Sequence, residues 1–304
     1  MKKFLLLLLP LLLSADISSW KLFEGKKSFE HIEFLDAKVL RFDKIGKEKF
    51  FGISALEYDK KTHTLYMLSD RSRLFWFDLE IKNGKLLSLK PKKSCRLQKP
   101  NGKYFFRWQS DSEGLVKRGR YFYASYEGIY PQIKKFNSQC REVGRIKLAK
   151  VLRNYRNYQG KNRGLESLDI VRGYGFVTAP EKRLKKTHDG WHSLYNSRGK
   201  ICEFKLDDKK LSLVDIESDG KGSVIGLFRR LDAMNLGFVV ALKKIKLQKS
   251  KCKVQNLATL KSVNHDHIDN FEGITKVGKN LYVMISDDND NFFEETLLVL
   301  FKVK

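Results

Sequence analysis

Apolar and polar residues alternate along this chain in short runs, and turn residues separate the runs. Gly52–Asp59 alternates, turns at Lys60–His63 and returns as Thr64–Leu68, which ends in Ser69-Asp70-Arg71. Leu74–Leu79 and Lys85–Leu89 follow as a hairpin about Asn83-Gly84, the dipeptide that best fits a two-residue hairpin turn. A second unit starts at Asp111-Ser112-Glu113-Gly114, turns at Arg118-Gly119-Arg120 and continues as Tyr121–Ser125 to Tyr126-Glu127-Gly128. Strands at Gln132–Phe136 and Val143–Leu148 complete it. The third unit starts at Asn162, carries Glu166-Ser167, turns at Gly173 and runs as Gly175–Thr178 to Ala179-Pro180-Glu181. A polar insertion, Lys182–Ser197, precedes its strands Lys200–Leu206 and Lys210–Ile216. The fourth, Gly222–Leu242, keeps the apolar rhythm but lacks a carboxylate beside a glycine. The fifth, Asp269–Lys304, has Glu272-Gly273, a turn at Gly278–Asn280, the strand Leu281–Ile285 and the acidic run Ser286–Asp290.

Aligning the unit starts places Ser54, Glu113, Glu166 and Glu272 at one position, each followed by a small residue and then Leu or Ile. The second strands end in Asp70, Glu127, Glu181 and Asp287-Asp288. Units of about four short strands, repeated roughly every fifty residues, are the pattern of propeller blades. The prediction is therefore an all-β fold, a β-propeller of five or six four-stranded blades. Only Ala149–Tyr158 suggests a short helix. The lone strand His31–Phe42 is expected to complete the final blade and close the ring, which removes an open sheet edge.

A residue repeated at the start of each innermost strand converges on the central channel. Glu113, Glu166 and Glu272 placed there would repel one another and hold each other's protons. Two remedies exist: a cation such as calcium, which gathers several oxygens, or interleaved basic residues, for which Arg71, Arg107 and Arg163 are the candidates. The opposing reading is that these acids only cap strands or bond neighbouring backbone amides.

The leader changes the setting. Met1-Lys2-Lys3, an apolar run from Phe4 to Leu13 and the small residues Ser14 and Ala15 read as a secretory signal peptide over 1–15, leaving 16–304 as a single domain in the periplasm or outside the cell. The apolar run is shorter than the ~20 residues of a membrane span. Cys95, Cys140, Cys202 and Cys252 then suggest two disulfides; three connectivities exist, and Cys95–Cys140 with Cys202–Cys252 is favoured because each spacing is close to one repeat. No C-x-x-C pair supports a zinc ribbon or a redox motif. Sixty Lys and Arg against 35 Asp and Glu give a net charge of +25, spread over the whole length. Such a surface attracts phosphorylated molecules, anionic lipid headgroups or an anionic envelope polysaccharide. Nucleic acid is disfavoured, because no recognised binding module is present.

Weaker constellations remain. Gly52-Ile53-Ser54 lacks the second glycine of a nucleophile elbow. His265 and His267 with Asp266 and Asp269, or His188 with His192, have the chemistry of a transition-metal site, although paired loop histidines are more often simply solvated. Tyr121, Phe122, Tyr123, Phe292 and Phe293 read as packing between blades.

Several stretches together resemble a known family. They are GISALEYD with LYMLSDR, DSEGLV, NRGLESL, and DNFEGI with SDDND and ETLLVLF, in that order from Gly52 to Phe301. The chain is similar to exported proteins described as having an esterase-like activity of phytase domain. The resemblance implies a β-propeller and hydrolysis of phosphate or other esters. It marks Glu113, Glu166, Glu272, Asp287 and Asp288 as the acids of interest, with Arg71 and Arg163 beside them. Ala55 departs from the usual glycine, and the fourth unit has lost its acid. On this reading Glu113, Glu166 and Glu272 are catalytic, with Glu166 activating or orienting water. Glu272, Asp287 and Asp288 would hold Ca2+, and Arg71, Arg107 and Arg163 would bind substrate oxygens. The alternative is a non-catalytic propeller that binds an anionic ligand or an envelope protein, since fold alone does not set function.

Overall fold

The computed structural model describes residues 16–20, 28–160, 162–233, 237–261, 268–289 and 294–304. Five antiparallel sheets form five blades, each running from an innermost to an outermost strand. The first blade is Ile53–Asp59, Thr64–Ser69, Arg73–Lys82 and Lys85–Arg96. Ser112–Arg118, Tyr121–Tyr126, Gln132–Phe136 and Glu142–Ile146 make the second. The third is Leu165–Val171, Gly175–Pro180, Trp191–Asn196 and Gly199–Lys205, with Ser250–Lys251 added in parallel outside. Ser212–Ser218, Ser223–Asp232, Gly237–Lys246 and Lys253–Lys261 form the fourth. The fifth begins Phe271–Gly278, Leu281–Ser286, Thr296–Val303.

The fifth blade is completed by Ile32–Leu40, which pairs antiparallel to Thr296–Val303, and Ile17–Ser19 pairs outside that strand. The ring closes as the lone N-terminal strand predicted. Innermost strands lie side by side around the ring, and that of the fifth blade rests on that of the first. Five apolar clusters fill the five interfaces between blades. Middle strands therefore bury both faces, which is why Thr64–Ser69 and Leu281–Ser286 read as continuous apolar runs. Phe122 packs on Tyr66 and Trp76 of the first blade, and Tyr123 on Phe176 of the third. Each fully buried Leu or Phe contributes ~1.5–3 kcal/mol of transfer free energy, so these interfaces hold the ring together.

Both expected disulfides form, Cys95–Cys140 and Cys202–Cys252. The first ties the outermost strand of the first blade to the outer turn of the second, and the second ties the third blade to the fourth in the same way. No helix among the described residues is long and apolar enough to cross a membrane.

Three boundaries differ from the sequence expectation. Lys210–Ile216 is not an outer strand of the third unit; most of it is the innermost strand of the fourth blade. The third blade instead takes Trp191–Asn196 from the polar insertion. Ala149–Tyr158 forms two 3-10 turns, Lys150–Arg153 and Tyr155–Asn157, and no α-helix. The leader 1–15, His265, Asp266, His267, Asp290, Phe292 and Phe293 lie outside the described residues.

Candidate functional site

The pairing of each innermost strand slips once at its start, between Ile53 and Ala55, Ser112 and Leu115, Leu165 and Ser167, Leu213 and Asp215, and Phe271 and Gly273. A bulge of this kind re-aims a side chain. The bulged residues are Ser54, Glu113, Glu166, Val214 and Glu272, so the aligned position is one register around the channel. The small residue that follows is required by crowding. A Cβ on Gly114 would lie 2.7 Å from the Leu168 nitrogen of the third blade, and one on Gly273 would lie 3.0 Å from the Ala55 Cα.

The second strands bring a further tier to the same end. Ser69, Tyr126, Pro180, Phe228 and Ser286 occupy equivalent pairing positions. The residues after them are Asp70, Glu127, Glu181, Arg229 and Asp287. The fourth blade thus replaces the acids with Val214 and a pair of arginines.

These groups have separate fates. Arg229 Nη2 donates to Glu272 Oε1 at 2.6 Å, and Asn270 Nδ2 donates to the same oxygen at 2.9 Å. Arg163 Nη1 donates to both oxygens of Glu181, at 2.7 and 2.8 Å. Arg71 lies 3.3 Å from Asp70. Asp288 accepts from the Gly52 amide at 3.0 Å and from Thr296 Oγ1 at 2.9 Å, so it fastens the last blade to the first. Asp287 accepts from the Asn289 amide at 2.8 Å, and burial beside Glu272 raises its pKa well above the usual carboxylate range. Arg107 is exposed on a 3-10 turn and forms no ion pair among the described residues.

Glu113 and Glu166 differ from the rest. Their side chains are only 8% and 9% exposed, and neither carboxylate has a hydrogen bond or ion pair among the described residues. Burial raises the pKa of both well above the usual range, reinforced at Glu113 by Glu166, Glu127, Asp111 and Glu272. At Glu166 the reinforcing groups are Glu127, Glu181 and Glu272, and Arg229 pulls weakly the other way. Asp111, Glu113 and Glu127 bring one oxygen each within 4.8 Å of one another. Burial and the neighbouring Asp111 push Glu127 up to about 8, against the Gly164 amide that donates to its Oε2 at 2.8 Å. A cleft of 470 Å³ opens beside Glu127 on the second blade.

The model of a family described as "Phytase-like: Esterase-like activity of phytase" matches residues 48–290. The chain belongs to this family. No curated protein matches it. Among solved structures, the RRP9 WD40 repeats align with a TM-score of 0.47 at 8% identity, over 91% of this chain and 99% of that one. The PQQ-bound aldose sugar dehydrogenase from Streptomyces coelicolor aligns with a TM-score of 0.46 at 12% identity, over 88% and 98% of the two chains.

The phytase-like propeller carries a second acidic group deeper in the channel, which the sequence reading missed. Glu57, Asp169 and Glu217 stand three residues beyond the bulged position in their strands, and Asp215 stands one beyond it. Asp169 accepts from the Ile170 and Ser218 amides, and Asp215 from those of Ile216 and Ile274. These carboxylates stitch neighbouring innermost strands together, so the amide-bonding role fits them. The histidine pair does not converge. His188 is exposed, while His192 is buried, accepts from the Ser193 amide at Nδ1 and lies against the Glu181 carbonyl at Nε2. Arg229, the other residue the sequence reading missed, had one signal: an arginine pair where every other blade ends its second strand in an acid.

In the phytase-like site, three oxygen ligands without a neutralising base suit a hard divalent cation. Buried carboxylates with raised pKa values suit proton transfer near neutral pH. Arg229 adds a buried Nε that has no hydrogen-bond partner.

Proposed function

We propose that this chain is an exported, divalent-cation-dependent hydrolase of phosphate or other anionic esters, working at the channel mouth beside the second blade. The observation that carries the reading is the convergence of Asp111, Glu113 and Glu127 within 4.8 Å, with no basic group among the causes that set the state of Glu113. Asp70, Glu181, Glu272, Asp287, Asp169 and Asp215 each meet an amide or an arginine, and Glu166 meets neither among the described residues. Asp111, Glu113 and Glu127 would hold Ca2+ or a similar ion, which when bound neutralises charge on ester oxygens. Glu166, across from this trio and unpaired, takes up or delivers a proton for the attacking water. Arg229 holds Glu272 in an ion pair, and its buried Nε, without a hydrogen-bond partner among the described residues, would donate to a substrate oxygen. The net charge of +25 supports an anionic substrate, and the two disulfides support an oxidising compartment.

The test is hydrolysis of phosphomonoesters, phosphodiesters and carboxyl esters by wild type and Glu113→Gln, with calcium and after chelation. The expected result is activity that chelation removes and calcium restores, with at least a ~100-fold loss in Glu113→Gln. A folded wild type that turns over none of these esters in calcium, magnesium or manganese overturns the reading.

A further inference from the structure

The cleft on the second blade has chemistry that ester hydrolysis does not use. Its floor comes from alternate residues of one strand, Gln132 and Lys134, and from Glu142 on the next. Gln132 Oε1 and Glu142 Oε2 are buried acceptors with no hydrogen-bond partner, although Glu142 Oε1 takes the Arg145 Nε at 2.7 Å. Lys134 is 6% exposed and forms no hydrogen bond or ion pair among the described residues; its ammonium lies 3.9 Å from the Phe105 ring centre and 3.5 Å from that of Tyr126. Two acceptors without donors and one donor without an acceptor therefore share one cavity of 470 Å³. At its mouth stand Trp108 and Tyr130, large aromatics left 61% and 64% exposed.

An acyl chain would leave all three buried polar groups unpaired. An anion could pair with Lys99, Lys134 or Arg145, but it would meet the carboxylates of Glu142 and Glu127 and offer no donor to the open oxygens of Gln132 and Glu142. A hydroxyl fits, because it donates to a carboxylate or amide oxygen and accepts from an ammonium at the same time. A ring bearing several hydroxyls also presents flat C–H faces, which suit exposed indole and phenol rings. We propose that the second-blade cleft is a binding site for a neutral saccharide, its sugar faces against Trp108 and Tyr130 and its hydroxyls on Gln132, Lys134 and Glu142. Burial lowers the Lys134 pKa to about 7, so near neutral pH the amine can accept as well as donate. The site stands apart from the hydrolase reading: the acid trio adjoins it at Glu127 only, and saccharide binding requires no turnover.

The test titrates the full chain with cellotetraose, maltotetraose and chitotetraose, followed by tryptophan fluorescence and calorimetry. Saturable binding of at least one tetrasaccharide is expected, with quenching that disappears in Trp108→Phe. Trp108→Ala, an exposed change that leaves the fold intact, should weaken binding at least tenfold, and Gln132→Leu comparably. Glu113→Gln should leave affinity unchanged while abolishing any ester hydrolysis, so the two readings fail separately. No saturable binding by any of the three sugars overturns the proposal. Binding that survives both Trp108→Ala and Gln132→Leu undiminished does so equally, because the sugar then sits elsewhere.

Discussion

At Arg229 the fourth blade supplies a guanidinium to a ring of acids contributed by the other blades. It is mostly buried and lies 2.6 Å from Glu272. Removing one partner of such a pair leaves the other charge buried alone, which costs ~3–5 kcal/mol. Arg229→Met is expected to lower stability in urea by about 3 kcal/mol at pH 8 and by clearly less at pH 5, because burial raises the Glu272 pKa and a stranded Glu272 sheds its charge as pH falls. Equal losses at both pH values would show that the pair is not what Arg229 contributes. The residue scale is also where the sequence was least complete. Glu113, Glu166 and Glu272 were legible because a bulge repeats them at one register. Arg229 was not, because Val214 erased the marker that would have aligned its blade. Asp169 and Asp215 looked like ordinary strand acids, since nothing in a sequence shows which amide a carboxylate will meet across a blade interface.

Strands were more legible than their partners. Apolar alternation and the turns at Asn83-Gly84 and Gly119 located the first two blades, although the outermost strand of the first runs on to Arg96, past the expected Leu89. The third and fourth were confused because Trp191–Asn196 lies in a stretch dominated by lysine and other polar residues, so Lys210–Ile216 was needed to make up the count. The disulfides followed from repeat spacing because each joins equivalent edges of successive blades. Cys202–Cys252 closes a loop of about fifty residues, so its loss as Cys202→Ser with Cys252→Ser should cost ~3–4 kcal/mol by loop entropy. Urea melts of this variant that coincide with wild type would show that the third and fourth blades are held by packing alone.

Across the whole molecule, the channel gathers acids inside a strongly basic shell, and pH should act on the two in opposite directions. Glu127 titrates at about 8 in the fold, above its ordinary 4.5. Such an acid stabilises the fold fully below ~4.5, and that contribution disappears as pH rises through about 8. Replacing it isolates the channel from the shell. Glu127→Gln can still accept from Gly164, and its melting temperature should gain on wild type by roughly 3–6 °C between pH 5 and pH 8.5. Calcium at pH 8 should raise wild type and leave the variant nearly unmoved; an ion that stabilises both equally binds elsewhere. The closing strand has a consequence of a different kind. Along one edge Ile32–Leu40 pairs with Thr296–Val303, far along the chain, while the short segments Ile17–Ser19 and Ser28–Phe29 pair on its other edge. A polypeptide that emerges from a ribosome or a translocation pore amino end first must therefore carry one unpaired, valine-bearing edge until Thr296–Val303 has appeared. Long-range pairing of this sort is slow, and an exposed strand edge invites pairing with other chains. In that interval the open edge is a target for a helper that binds extended segments.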